Sequence, residues 1–190
     1  MELDKIVVAT GNKGKLKEIR DIFTDVELVS MGELGFNETI EETGKNFRAN
    51  AKIKAEAICK KYGLPALADD SGLCVDGLNG APGIYSARFS GEGEAANRKL
   101  LLKRMEHVYD RKAHFECAVC LYLPDGHTYF GEGRTYGKIL YEEIGENGFG
   151  YDCLFFSDDL KKSFGTATEE EKNSVSHRFR ALQDLKGKLK

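Results

Sequence analysis

Apolar positions along the chain recur with two different periods. Residues 5–9, Lys5-Ile6-Val7-Val8-Ala9, hold an unbroken apolar run that predicts a short buried strand. From Lys15 onward the spacing changes, with Leu16, Ile19, Ile22 and Phe23 three and four apart, as on a helix with one buried face. Between the two, Thr10-Gly11-Asn12-Lys13-Gly14 is small and polar and reads as a turn. The chain therefore opens strand, loop, helix.

The same reading predicts a short strand over residues 26–29 and a long helix over 44–62 that ends at Gly63, with Phe47, Ile53, Ala57 and Ile58 toward the core. A second buried strand over 65–68 runs into Asp69-Asp70-Ser71-Gly72. Residues 76–93 are punctuated by Gly and Pro and predict an irregular segment lining a cleft. A helix over 94–106 follows. Strands over 113–123 and 128–135 are joined near Asp125-Gly126, a strong hairpin signal. A short strand over 153–156 and a helix over 175–189 complete the series. Strands and helices mixed along the chain predict an α/β protein, a central sheet with helices on both sides and a cleft between two lobes.

Composition narrows the function classes. A formal net charge of -3 gives no overall basic surface for duplex nucleic acid. No apolar run approaches membrane-spanning length. The opening Met1-Glu2-Leu3-Asp4-Lys5 leads into an apolar run too short for a signal-peptide core. The expectation is a cytoplasmic protein with neither nucleic acid nor membrane as a partner. Five cysteines, an odd number, argue against a disulfide framework. Cys117 and Cys120 have C-x-x-C spacing, but three positions apart on a strand put their sulfurs on opposite faces. Buried, reduced thiols are expected.

Four stations carry candidate chemistry. At Thr10-Gly11-Asn12-Lys13-Gly14-Lys15 a strand feeds a loop that opens a helix, aiming backbone N–H groups and two lysines at an anion; the plainer alternative is a helix cap followed by solvated lysines. Glu41-Glu42 and Asp69-Asp70 are acidic, and carboxylates leaving a buried strand suit Mg²⁺ and a metal-activated water; the alternative is a turn at Asp70-Ser71-Gly72 and a solvated Glu pair. Gly148-Phe149-Gly150-Tyr151-Asp152 offers a ring standing free in a loop followed by a carboxylate; taken by itself, a Gly-rich turn with a core Phe is the better reading. Lys172 and Ser176-His177-Arg178 offer donors for phosphate or a purine keto oxygen; the alternative is Ser176 as a helix cap with surface charges.

Taken together, these stations resemble the inosine triphosphate pyrophosphatases, a family acting on deaminated purine nucleotides. The match runs through Ala9-Thr10-Gly11-Asn12 with Lys15 and Glu18, Glu41-Glu42-Thr43-Gly44 with Phe47 and Asn50-Ala51, and Ala68-Asp69-Asp70-Ser71-Gly72-Leu73. It continues through Gly80-Ala81-Pro82-Gly83-Ile84-Tyr85-Ser86-Ala87-Arg88, Gly148-Phe149-Gly150-Tyr151-Asp152, Glu171-Lys172 and Ser176-His177-Arg178.

The resemblance implies one domain over 1–190, an elongated mixed sheet flanked by helices, two lobes with the active site in the cleft between them, and a homodimer. It implies Mg²⁺-dependent hydrolysis of ITP, dITP or XTP to the monophosphate and pyrophosphate. Carried over, Thr10, Gly11, Asn12, Lys13, Gly14 and Lys15 would bind the triphosphate. Asp70 would be general base and metal ligand, with Glu41 or Glu42 completing the metal site. Ser71 would touch the nucleotide and Phe149, with Gly150 and Tyr151 beside it, would stack on the base. Asp152, His177 and Arg178 would read the purine edge, with Lys172 against the nucleotide. One position departs: relatives often have Glu where this chain has Ala49.

Overall fold

The computed structural model describes residues 4–24 and 26–189; residues 1–3, the start of the opening segment, lie outside them. Seven strands form one mixed sheet: β1 (Lys5–Val8), β2 (Glu27–Ser30), β3 (Ala66–Val75), β4 (Lys112–Tyr122), β5 (Thr128–Ile139), β6 (Phe155–Ser157) and β7 (Lys162–Ser163). Their order is β2-β1-β3-β4-β5-β6-β7, with β1 parallel to β2 and β3 at one end and β5, β6 and β7 antiparallel at the other. The helices are α1 (Lys13–Ile22), α2 (Phe47–Tyr62), α3 (Glu94–Arg104), α4 (Glu169–Val175) and α5 (His177–Lys188). The chain divides into two compact units, Met1–Asp70, Cys117–Gly133 and Arg178–Lys190 in the first, Ser71–Glu116 and Arg134–His177 in the second.

The first unit is a sheet covered on both faces. Ile6 and Val8 point to one side, where Ile19 of α1, Phe23 just after it, and Ala181, Leu182 and Leu185 of α5 bury them. Val7 and Ala9 point to the other, against Ala51, Ala55, Ile58 and Cys59 of α2. This is why the run around β1 reads as continuously apolar: both faces are inside. Cys117 belongs to the first cluster and Cys120 to the second, so the period of the strand separates the two thiols. All five cysteines are free.

The second unit has its own core, built on Leu73, Val75, Leu101, Met105, Phe115, Phe155 and Phe164. Its irregular segment winds through two 3-10 turns, Asp76–Leu78 and Gly83–Arg88. Ser86 pins it: its hydroxyl accepts from the Leu73 N–H at 2.9 Å and donates to the Gly83 carbonyl at 2.6 Å. Asn97 of α3 donates to the Ser86 and Ala87 carbonyls. Without these bonds a buried irregular backbone would leave polar groups unmet.

Several boundaries differ from the sequence expectations. The helix predicted from residue 44 starts at Phe47, because the Asn46 side chain caps it by accepting from the Ala49 N–H at 2.8 Å. It ends at Gly63, in the left-handed conformation, as expected. The strand predicted over 65–68 continues to Val75, so Asp69 and Asp70 sit inside a strand and Asp70-Ser71-Gly72 is no turn. The expected strand over 153–156 begins at Phe155, after a 3-10 turn at Asp152–Leu154. The helix expected over 175–189 is α5, starting at His177, and a further short helix, α4, precedes it. Ser176, extended, separates α5 from α4, whose start is fixed by a capping box between Thr168 and Glu171.

Gly131 of β5 lies directly under α5. A Cβ there would collide with the Ala181 carbonyl and come within 2.7 Å of the Leu185 N and 2.8 Å of its Cβ. Neither backbone can yield cheaply, so Gly131→Ala is expected to destabilise by about 2 kcal/mol or more. The check is urea unfolding, with a lower midpoint at an unchanged m value.

Candidate active site

In the first unit, β1 hands the chain to α1 through a short polar loop. The Thr10 hydroxyl accepts from the Asn12 N–H at 3.2 Å, and the Asn12 side chain accepts from the Lys15 N–H at 3.0 Å. Asn12 is thus the cap, and Gly11, Asn12 and Lys13 are exposed at the positive end of α1. The first-turn N–H groups of a helix have no acceptor inside it, so this end suits an anion.

Lys15 turns inward. Its ammonium lies 3.2 Å from Asp69 Oδ2, an oxygen that also accepts from Arg178 Nε at 3.2 Å and Nη2 at 3.1 Å. Arg178 Nη1 bonds Glu18. Burial alone would push the Asp69 carboxyl up, but Lys15, Arg178 and Lys54 outweigh it and hold Asp69 well below the usual carboxylate range. Arg178, expected at the purine edge, is 1% exposed with every guanidinium nitrogen on a carboxylate. It anchors Asp69 in this position.

Asp70, the next residue of β3, points to the opposite face of the sheet. There the Asn50 side-chain amide donates to its Oδ2 at 3.0 Å, and Lys54 lies 4.0 Å from its Oδ1 and 3.4 Å from Glu42. Asn50 accepts in turn from the Gly44 N–H at 2.8 Å. A Cβ on Gly44 would come within 2.8 Å of the Asn50 N and the Ala49 Cβ, so the loop carrying Glu42 can close on α2 only as glycine. Burial raises the Asp70 carboxyl, Lys54 and Lys15 oppose it, Glu42 adds to it, and the balance is about 6.

These residues fit a Mg²⁺ ion. Asp70 and Glu42 are hard oxygen donors held by one bridging ammonium, and Mg²⁺ needs only one or two carboxylates beside phosphate and water. Of the two candidate glutamates, Glu42 is tied to Asp70 through Lys54, while Glu41 is exposed. Sequence reasoning missed Asn50 and Lys54 as site residues. The signal was available: they are polar residues one turn apart on the stripe that holds Phe47, Ala51, Ala55 and Ile58.

In the second unit the loop Gly148-Phe149-Gly150 is fixed from three sides. Asp152 Oδ2 accepts from the Phe149 N–H at 3.0 Å, Glu94 accepts from the Gly150 N–H at 3.0 Å, and Arg98 donates to the Gly150 carbonyl at 3.1 Å. Gly148 has φ of 75°, and a Cβ on it would strike the Asp152 carboxylate. Lys172, buried, bonds Asp152 Oδ2 at 2.6 Å and lies 4.5 Å from the centre of the Phe149 ring. A cavity of about 320 Å³ opens here, lined by Glu94, Arg98, Glu143, Asn147, Phe149 and Cys153.

Two other residues expected at the site are buried. Tyr151 is 5% exposed and its hydroxyl donates to the Ser86 carbonyl at 2.7 Å, so its side chain belongs to the core of the second unit. His177 stacks on Phe115, with ring centres 4.9 Å apart. Ser71 follows Asp70 in β3 and is half-buried.

Comparison with known proteins places the chain in a family. A family model described as the Ham1 family matches residues 6–188. A Haemophilus influenzae protein named dITP/XTP pyrophosphatase is 49% identical, covering 97% of this chain and 98% of its own. A Clostridium perfringens protein of the same name is 44% identical over 99% and 98%. The solved structure of the Staphylococcus aureus Ham1 protein superposes with a TM-score of 0.88 at 40% identity, covering 98% of each chain. Among the described residues no helix is long and apolar enough to cross a membrane.

A carboxyl raised from 3.8 to about 6 stores a pH-dependent cost. The folded state binds the extra proton, so stability falls as pH rises from about 4 through 6. The full cost is about 3 kcal/mol. Asp70→Asn is therefore expected to raise the melting temperature by several degrees above pH 6.5, with the gain shrinking toward pH 4.5. Calorimetry at a series of pH values reads it; a gain independent of pH would place the cost elsewhere.

Proposed function

The chain belongs to the Ham1 family, and we propose on that premise that it is a nucleoside-triphosphate pyrophosphatase that hydrolyses ITP, dITP and XTP to the monophosphate and pyrophosphate. The observation that carries the reading is the Asp70 carboxyl, raised to about 6 between Asn50, Lys54 and Glu42. A base poised near neutral pH is largely ionised at pH 7 and still takes a proton readily. Asp70 would remove a proton from water as its oxygen bonds the α-phosphorus, and the bond from that phosphorus to the bridging oxygen breaks, releasing pyrophosphate.

Lys13, Lys15 and the exposed start of α1 would hold the triphosphate, and Lys54 would meet its negative charge beside Asp70. Bound at Asp70 and Glu42, Mg²⁺ would neutralise phosphate charge and lower the pKa of its water. Base choice would rest on the second unit. Phe149 offers a ring already fixed in its loop. Asp152, oriented by Lys172 and the Phe149 amide, would accept the N1–H of a 6-keto purine, and His177 would donate to its O6. Adenine reverses both groups, and a site built around a buried hydrogen bond rejects such a mismatch strongly. The resemblance further supports a cytoplasmic homodimer in which residues 1–190 serve this one reaction.

The test is phosphate release with added inorganic pyrophosphatase across ITP, XTP, dITP, GTP and ATP, with and without Mg²⁺. Turnover of ITP, dITP and XTP well above ATP is expected, only with the metal and only when pyrophosphatase is present. Asp70→Asn should lower ITP turnover by about a thousandfold. Binding of ITP without any product would overturn the reading in favour of a nucleotide sensor. The metal assignment has its own check, a Mg²⁺ titration of turnover at saturating ITP. Glu42→Gln should raise the half-saturating Mg²⁺ by about tenfold or more, whereas Glu41→Gln should leave it where it was.

A further inference from the structure

Strand alternation in the second unit leaves a polar cluster on the sheet face opposite its core. Leu73 and Val75 of β3 and Ala113 and Phe115 of β4 point into the apolar cluster. The residues between them, Cys74, His114 and Glu116, point the other way, and β3 and β4 are neighbours in the sheet. One donor atom from each of the three lies within 4.8 Å of the other two, and all three residues are half-buried. Among the described residues this is the one group of three or more His, Cys, Asp or Glu side chains so assembled.

We propose that Cys74, His114 and Glu116 form a transition-metal site of the Zn²⁺ class. Tetrahedral zinc with bonds of about 2.0 to 2.3 Å sets its donors roughly 3.5 Å apart. His114 Nε2 and Glu116 Oε2 already stand at 3.5 Å. The Cys74 sulfur lies within 4.8 Å of both, so it needs an approach of at most about 1.3 Å to reach that spacing. The donor set is sulfur, nitrogen and oxygen. Thiolate and imidazole select Zn²⁺ or Co²⁺ over Mg²⁺ and Ca²⁺, which take oxygen. This separates the cluster chemically from Asp70 and Glu42.

The surroundings orient the ligands. Arg134 of β5 holds Glu116 Oε2 at 2.9 Å, and Tyr136 packs on the His114 ring with centres 5.6 Å apart. Such outer contacts fix the rotamers of a metal site before the metal arrives. Arg134 also competes for Glu116, so occupancy requires the carboxylate to turn from the guanidinium to the metal. Three protein ligands leave a fourth position for water, the open form of a zinc site. Binding to the folded chain would stabilise it by mass action.

Cobalt is the probe, because Co²⁺ substitutes for Zn²⁺ and reports a bound thiolate by a charge-transfer band. The full chain, stripped of metal and kept reduced, is titrated with Co²⁺. The expected result is a single equivalent with a sulfur-to-cobalt band, displaced by one equivalent of Zn²⁺. Cys74→Ser should abolish the band, His114→Ala and Glu116→Gln should each weaken Co²⁺ binding by about tenfold or more, and Cys153→Ser should leave the band intact. Circular dichroism confirms that each variant is folded. No sulfur band, a band that survives Cys74→Ser, or affinity unmoved in folded His114→Ala overturns the proposal.

Discussion

Burying a carboxylate inside a strand costs several kcal/mol unless cations are buried with it, and the first unit is organised around that requirement at Asp69. The strand carries Asp69 into the layer where α1 and α5 pack, and each helix supplies a cation, Lys15 from one and Arg178 from the other. Glu18, on Arg178, supplies the second carboxylate against these two cations. The start of α1 is thereby tied to the start of α5, although Glu18 and Arg178 are 160 residues apart in the chain. Removing one member would leave a buried charge without its partner, which is why such a cluster behaves as a unit rather than as separate ion pairs. It also fixes the strand that carries the next residue, Asp70.

That next residue is where compensation is left incomplete. Asp70 has the same side chain and nearly the same burial as Asp69, 6% against 1% exposed, yet its carboxyl rises to about 6 while Asp69 is held low. The difference comes from alternation. One face meets two cations in contact; the other meets an amide, a lysine at 4.0 Å and the like charge of Glu42. A sheet can thus place a fully compensated carboxylate and a perturbed one side by side in sequence, on opposite faces. Perturbed groups of this kind mark functional sites more often than they mark stable ones.

The order of strands and helices was legible because buried faces leave periodic apolar patterns. Boundaries were less so. Asp69-Asp70-Ser71-Gly72 is poor in strand-forming residues and reads as a turn; contacts from α1, α2 and α5 override that local preference. α4 carries no apolar stripe, and its one signature, Thr168 with Glu171 three residues later, is easily passed over before a Lys and two polar residues. At the candidate site, the lysine loop, Glu42, Asp70 and the Phe149 loop stand out as local clusters. The ion pairs of Arg178 were not legible, because Glu18 and Asp69 reach it from far along the chain. Asn50 and Lys54 were hidden for the opposite reason: they lie on the buried stripe of α2, where a polar residue is noticed only if the stripe is first drawn.

The second unit applies the same logic to shape rather than to charge. Phe149 stands in a loop of glycines, a setting that would ordinarily cost order on binding. Here its loop is fixed in advance by Asp152, Glu94 and Arg98, and one face of the ring is covered by the Lys172 ammonium. Lys172 and Asp152 are both nearly buried, so their pairing at 2.6 Å is insulated from salt and water in a way surface pairs are not. Gly148 is required because the Asp152 carboxylate occupies the volume its side chain would fill. Under the proposed function, a ring held in this way would lose little freedom when a base stacks on it, so more of the stacking energy would remain available for choosing among bases. Fixing the carboxylate beside the ring would make that choice one of hydrogen-bond polarity, the property that deamination of a purine changes.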